Sequence, residues 1–70
     1  MAKTKKSVLI GVVLPDFLNV RVEPKGKVLD VIKKGTVVNV VSKKNGWFNV
    51  TIDDLSGWVN GDYLAVKEAT

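Results

Sequence analysis

The sequence predicts an all-β fold, a small barrel or sandwich of short antiparallel strands. Its apolar segments are short and rich in valine and other β-branched residues, which favour extended backbone. Turn-forming residues recur at intervals of roughly ten, at Gly26, Gly35, Asn45-Gly46 and Gly57. No stretch sustains the 3.6-residue apolar period of an amphipathic helix. With 46% hydrophobic residues, the chain is also too apolar to remain disordered.

Seven strands are predicted from the apolar segments in chain order. They cover residues 8–14, 18–22, 28–32, 36–42, 47–52, 56–60 and 64–66. Pro15 and Pro24 flank the second segment and leave the strands uninterrupted, as they should because proline cannot donate a ladder hydrogen bond. Residues 60–63, Asn-Gly-Asp-Tyr, are suited to one tight 3₁₀ turn before the last strand.

Two hairpins have local explanations. Asn45-Gly46, between the fourth and fifth strands, supplies residues that readily adopt the positive φ of a tight turn. Residues 53–57 join the fifth and sixth strands with polar turn formers. In the fifth strand, apolar side chains alternate with Asn49 and Thr51, which is the period of a half-buried strand. The predicted core comprises Val20, Val38, Val40, Phe48, Val50, Ile52 and Trp58.

The missing residue types exclude most classes of enzyme. The 70-residue chain contains no cysteine and no histidine, so disulfides, cysteine-ligated zinc and histidine general bases are excluded. Asp53 and Asp54 are adjacent, and neighbouring side chains point apart instead of sharing one acid–base site. We therefore expect no catalytic residue, no metal site and no cofactor.

The net charge of +4 has two interpretations. Ten of the 11 cationic residues are lysines, concentrated in the first six residues and in pairs before the turns at Gly35 and Gly46. Such lysines keep turns and a tail solvated, or they form a surface for a polyanion. The sole arginine, Arg21, weakens the nucleic-acid interpretation because arginine supplies most base-specific contacts. Nucleic acid is therefore the less favoured partner.

The N-terminal segment resembles a signal peptide only in part. Its apolar run, residues 8–14, is at the lower limit for such a peptide, and Pro15-Asp16-Phe17 stands where small residues would prepare cleavage. We expect no cleaved signal and a cytoplasmic location at synthesis. No apolar run approaches the roughly 20 residues of a membrane-spanning helix, so no membrane span is expected.

An ordered set of short motifs covers most of the chain. The set is Leu18-Asn19-Val20-Arg21, Pro24, Val28, Lys34-Gly35-Thr36, Asn45-Gly46-Trp47-Phe48, Gly57-Trp58-Val59 and Tyr63-Leu64. In its order and spacing it resembles the bacterial SH3-like domain. The resemblance covers about residues 10–65 and implies a partly open barrel of five to seven strands. We expect the domain to span residues 8–66, between a flexible basic tail at 1–7 and a C-terminal tail at 67–70. The sequence departs from the family pattern at Val22-Glu23-Pro24, and the loop that follows is shorter than is usual in the family.

Five residues are candidates for ligand contact. Phe17, Trp47 and Tyr63 are aromatic rings that can stack on a ligand, and Asn19 and Arg21 can supply polar contacts. Each also has a structural interpretation. Arg21, in particular, can instead pair with an acidic side chain or a turn carbonyl.

The resemblance favours a non-catalytic binding module that recognises the peptide or glycan of peptidoglycan. The alternative is a stand-alone structural or assembly protein, for example a phage virion component, acting through a protein partner or as a homo-oligomer. Release from the cell or virion association would follow from a phage origin. For assembly we expect valine-rich strand edges, at Val37 and Val41, to support strand addition. A third hypothesis is weak polyanion binding through the lysine turns.

Overall fold

Residues 9–68 form seven strands in one antiparallel sheet in the computed structural model, which describes that part of the chain. The strands are β1 Leu9–Val13, β2 Phe17–Arg21, β3 Val28–Lys33, β4 Val37–Lys44, β5 Trp47–Ile52, β6 Leu55–Asn60 and β7 Leu64–Glu68. A single 3₁₀ turn, Gly61–Tyr63, precedes β7. The predictions of an all-β fold and of this 3₁₀ turn are confirmed.

The strand boundaries differ from the predicted ones by one or two residues. The fifth strand matches, and β7 continues through Lys67 and Glu68, which the predicted division assigned to a tail. The predicted basic tail at 1–7 lies outside the described residues. Within the described range, no helix reaches the length and apolar character that crossing a bilayer requires.

The strand order is β3-β2-β6-β5-β4-β1-β7. Three hairpins pair neighbours in the chain, and β1 connects them to β7, with Leu9 opposite Glu68 and Val13 opposite Leu64. The prediction of open valine edges is wrong, because β4, which carries Val37 and Val41, lies inside the sheet between β5 and β1. The edges of the described sheet are β3 and β7 instead.

The core is built mainly from valines on the inner face of the sheet. Val20, Val38 and Val50 are buried as predicted, and Val40, Phe48 and Ile52 are half-buried side chains packed against them. Among residues 9–68, the buried hydrophobic side chains are Val13, Leu18, Val20, Ile32, Val38, Val50, Val59 and Leu64.

Trp58 is not in this core, contrary to our prediction. Gly57 and Val59 on either side of it are buried, so strand alternation turns the Trp58 side chain to the outer face. The indole is half-buried there. The core is therefore filled mainly by valine side chains, and neither Trp47 nor Trp58 belongs to it.

Gly57 lies within β6 and does not form the turn that the sequence indicated. The turn falls instead at Asp53-Asp54, with Asp53 at a φ of 51°. A Cβ on Gly57 would lie 2.6 Å from Cγ1 of Val20 and 2.7 Å from the carbonyl oxygen of Arg21. Glycine is required here because β2 and β6, which are antiparallel neighbours in the sheet, lie at close range at this position.

Candidate functional site

A groove of about 390 Å³ lies on the outer face of the sheet, where β2 and the 3₁₀ turn meet the start of β5. We call it the aromatic groove. The structure brings all five predicted ligand-contact residues to its wall: Phe17, Asn19, Arg21, Trp47 and Tyr63. Pro15, Leu18 and Asn60, which were not among the predicted ligand-contact residues, complete it.

The alternation of β2 supplies one side of the aromatic groove. Leu18 and Val20 are buried in the core, so Phe17, Asn19 and Arg21 face outward from the same strand. Phe17 is 66% exposed, which is a large exposure for a phenyl ring. One strand therefore presents an aromatic ring, an amide and a guanidinium in a row.

The opposite side of the groove comes from β5, β6 and the 3₁₀ turn. Trp47 is the register partner of Asn60, so both side chains stand on the outer face. The Oδ1 atom of Asn60 accepts a hydrogen bond of 2.9 Å from the backbone N–H of Asp62. This capping bond fixes the 3₁₀ turn, which in turn positions the exposed Tyr63 ring.

Asn60 could have been selected from the sequence. Residues 60–63 were recognised as a turn, and an asparagine that caps such a turn lies at the same surface as the ring that ends it. Pro15 gave no comparable signal, because it reaches the groove only through the bend between β1 and β2.

Arg21 has a structural contact within the groove. Its Nη1 atom donates a part-buried hydrogen bond of 2.7 Å to the carbonyl oxygen of Gly26, in the loop after β2. Arg21 was predicted to pair with an acidic side chain or with a turn carbonyl, and the structure shows the contact with the turn carbonyl. The guanidinium has five N–H donors, so this bond leaves others that can face the groove.

Replacing Arg21 with glutamine is expected to lower the free energy of unfolding by about 1–2 kcal/mol, because the Gly26 carbonyl loses a charged donor. Urea denaturation measures the loss, and amide exchange of the loop locates it. Lys27→Gln is the matched control, since it removes a cation from the same loop at an exposed side chain. Equal stability of the two variants would contradict the role assigned to Arg21.

Comparisons with known proteins agree with the fold. The family model described as the bacterial SH3 domain matches residues 16–65. The chain is 34% identical over 56 residues to the "Putative N-acetylmuramoyl-L-alanine amidase YrvJ" of Bacillus subtilis (strain 168). That match covers 77% of this chain and 11% of the relative, so the chain spans a small part of the relative's length. No solved structure matches the chain significantly.

Proposed function

The chain belongs to the bacterial SH3 domain family, and we propose that it is a non-catalytic module that binds peptidoglycan through the aromatic groove. The observation that carries this proposal is the convergence of Phe17, Trp47 and Tyr63 with Asn19 and Arg21 on one groove. The similarity to a protein named as an N-acetylmuramoyl-L-alanine amidase supports the choice of a ligand that contains both sugar and peptide.

The chemistry of the groove suits such a ligand. Aromatic rings pack on the apolar faces of sugars and on peptide side chains, and an amide such as that of Asn19 both donates and accepts hydrogen bonds. The free N–H groups of Arg21 can pair with a peptide carboxylate. A single groove of this size buries little ligand surface, so we expect modest affinity.

The same lining argues for binding without catalysis. Its polar side chains are the amides of Asn19 and Asn60, the guanidinium of Arg21 and the phenol of Tyr63. Within residues 9–68, the lining holds no carboxylate, imidazole, amine or thiol, which are the side chains that most often act as general base or nucleophile.

Phe17→Ala is expected to reduce retention on purified peptidoglycan about tenfold, because it removes the most exposed ring of the groove. The fold should survive, since the ring lies outside the core. Co-sedimentation over a range of peptidoglycan concentrations measures the affinity. Val41→Ala is the matched control, because it removes an exposed apolar side chain from β4, away from the groove.

Two outcomes would reject peptidoglycan binding through the groove. One is retention of the unmodified chain no greater than that of an unrelated protein with the same net charge. The other is an equal decrease in affinity for Phe17→Ala and Val41→Ala.

A second candidate function is assembly, favoured by the open edge at β3. Leu29 and Val31 on this edge strand are exposed, and such an edge can accept a strand from another chain. A phage origin and virion association belong to this second proposal. A light-scattering mass that stays monomeric at high concentration would count against self-assembly.

A further inference from the structure

A second cleft, of about 380 Å³, lies on Trp58 and is separate from the aromatic groove. Its lining residues are Glu23, Pro24, Lys44, Asn45 and Trp58, none of which lines the aromatic groove. We call it the Trp58 cleft. Each cleft therefore contains one tryptophan: Trp47 lines the aromatic groove and Trp58 lines the Trp58 cleft.

The floor of the cleft is an indole that the core does not use. Trp58 faces outward from β6 beside its register partners Arg21 of β2 and Asn49 of β5. The ring is half-buried, so neighbouring side chains limit its movement while one part stays open to solvent. Pro24, also half-buried, adds a second rigid ring at the cleft.

Backbone hydrogen bonds hold the loop that forms one wall. The N–H of Gly26 donates to the carbonyl of Glu23 at 2.8 Å, and Val22 N–H donates to Lys27 at 2.8 Å. Arg21 adds its bond to the Gly26 carbonyl. Glu23 therefore extends from a short, closed loop whose shape is set before any ligand arrives.

The opposite wall is the hairpin between β4 and β5. Lys44 is the register partner of Trp47 and so shares its outer face, while Lys43 turns the other way and places its Nζ atom 5.8 Å from the centre of the Phe48 ring. Asn45 follows at a φ of 49°, and Gly46 accepts a 2.8 Å bond from the N–H of Gly61. This wall is also fixed.

The polar groups of the cleft indicate the class of ligand. One carboxylate, one ammonium and one amide surround the indole, and the two charges cancel. The cleft therefore carries no net charge from its lining that would favour a singly charged ligand. A hydroxyl both donates and accepts hydrogen bonds, so a polyhydroxylated ligand can use all three groups while its C–H face packs on the indole.

We propose that the Trp58 cleft is a second binding site, which takes an uncharged pyranose ring of a glycan. This site does not depend on the aromatic groove, so it extends the function proposed above without relying on it. A chain with both sites would contact a carbohydrate polymer at two points, and simultaneous contact strengthens retention.

The full chain provides its own test, because it has two tryptophans and each reports on one cleft. The indole N–H signals are assigned from Trp47→Phe and Trp58→Phe variants and followed during titration with neutral N-acetylglucosamine oligomers. We expect the Trp58 signal to shift and saturate in the millimolar range. Because the ligand is uncharged, the affinity should change less than about twofold between 50 and 500 mM salt.

Two adjacent lysines give a matched pair of variants. Lys44→Gln should lower the affinity for the sugar about threefold or more. Lys43→Gln, which alters the opposite face of the sheet, should leave this affinity unchanged. The proposal is overturned if the Trp58 signal does not shift, or if the two variants weaken binding equally. It is also overturned if a dipeptide zwitterion shifts Trp58 more strongly than the sugar, or if binding is lost steeply with salt, as a polyanion site requires.

The two proposed sites can fail separately. Phe17→Ala should abolish most retention on peptidoglycan through the aromatic groove and leave the Trp58 titration intact. If Trp58 titrates normally but Phe17→Ala retains full affinity for peptidoglycan, the aromatic groove is rejected and the Trp58 cleft stands. If retention depends on Phe17 while Trp58 does not respond to the sugar, the reverse holds.

Discussion

Gly57→Ala is expected to lower the free energy of unfolding by about 2–3 kcal/mol, because its Cβ would overlap a backbone atom that cannot move alone. The clash involves the carbonyl oxygen of Arg21 at 2.7 Å and Cγ1 of Val20 at 2.6 Å. Relief requires β2 to separate from β6, although Arg21 and Trp58 are the register pair that joins these strands. Urea denaturation followed by tryptophan fluorescence measures the change.

Gly11→Ala is the control for this prediction. Its Cβ would lie 2.7 Å from the side chain of Leu64, but a leucine side chain can shift where a backbone carbonyl cannot. We expect a loss of about 1 kcal/mol for this variant. If Gly11→Ala destabilises the domain as much as Gly57→Ala does, close contact between β2 and β6 is not what selects glycine at position 57.

Val50→Ala is expected to cost about 2–3 kcal/mol, because Val50 is fully buried in the core. It lies in β5 near the middle of the strand order, so the cavity would face side chains from several strands. A domain of this size is stabilised by only about 4–10 kcal/mol in total. A substantial fraction of the protein should then unfold at moderately raised temperature.

Val41→Ala makes the same chemical change at a position that is 62% exposed. Its effect should stay within about 0.5 kcal/mol. Chemical denaturation of both variants, with equal m-values, gives the comparison. Similar losses at the two positions would show that the valine-rich interior contributes less to stability than its burial indicates.

Local sequence signals were sufficient to predict the strands. Asn45-Gly46 adopts the positive φ values that its composition predicts, and the alternation of Phe48, Val50 and Ile52 correctly assigns the inner face of β5. These features depend on neighbouring residues alone, so they can be derived without knowledge of the fold.

Strand order could not be predicted in the same way. Val37 and Val41 were placed on an edge because their side chains are apolar, but whether β4 is an edge depends on β1, which is distant in the chain. The prediction of a turn at Gly57 was wrong for a similar reason, since this residue lies within β6. A glycine that allows a close crossing and a glycine that forms a turn are alike until the partner strand is known.

Much of the candidate site was predictable because it follows from strand periodicity. Phe17, Asn19 and Arg21 lie at alternate positions of β2, so once Leu18 and Val20 are buried the other three must share a face. The position of Trp58 was not predictable in this way. Its size favours burial, yet both of its neighbours are apolar or small, and the sequence does not show which face of β6 is the inner one.

The pairing of β1 with β7 has a consequence for the order of folding. The β2–β3, β4–β5 and β5–β6 hairpins join near neighbours in the chain and can form within microseconds. Val13 and Leu64 become register partners only when segments from the two ends of the described chain meet, and that long loop is entropically costly to close. The barrier to folding should therefore lie at this closure, which makes refolding much slower than hairpin formation.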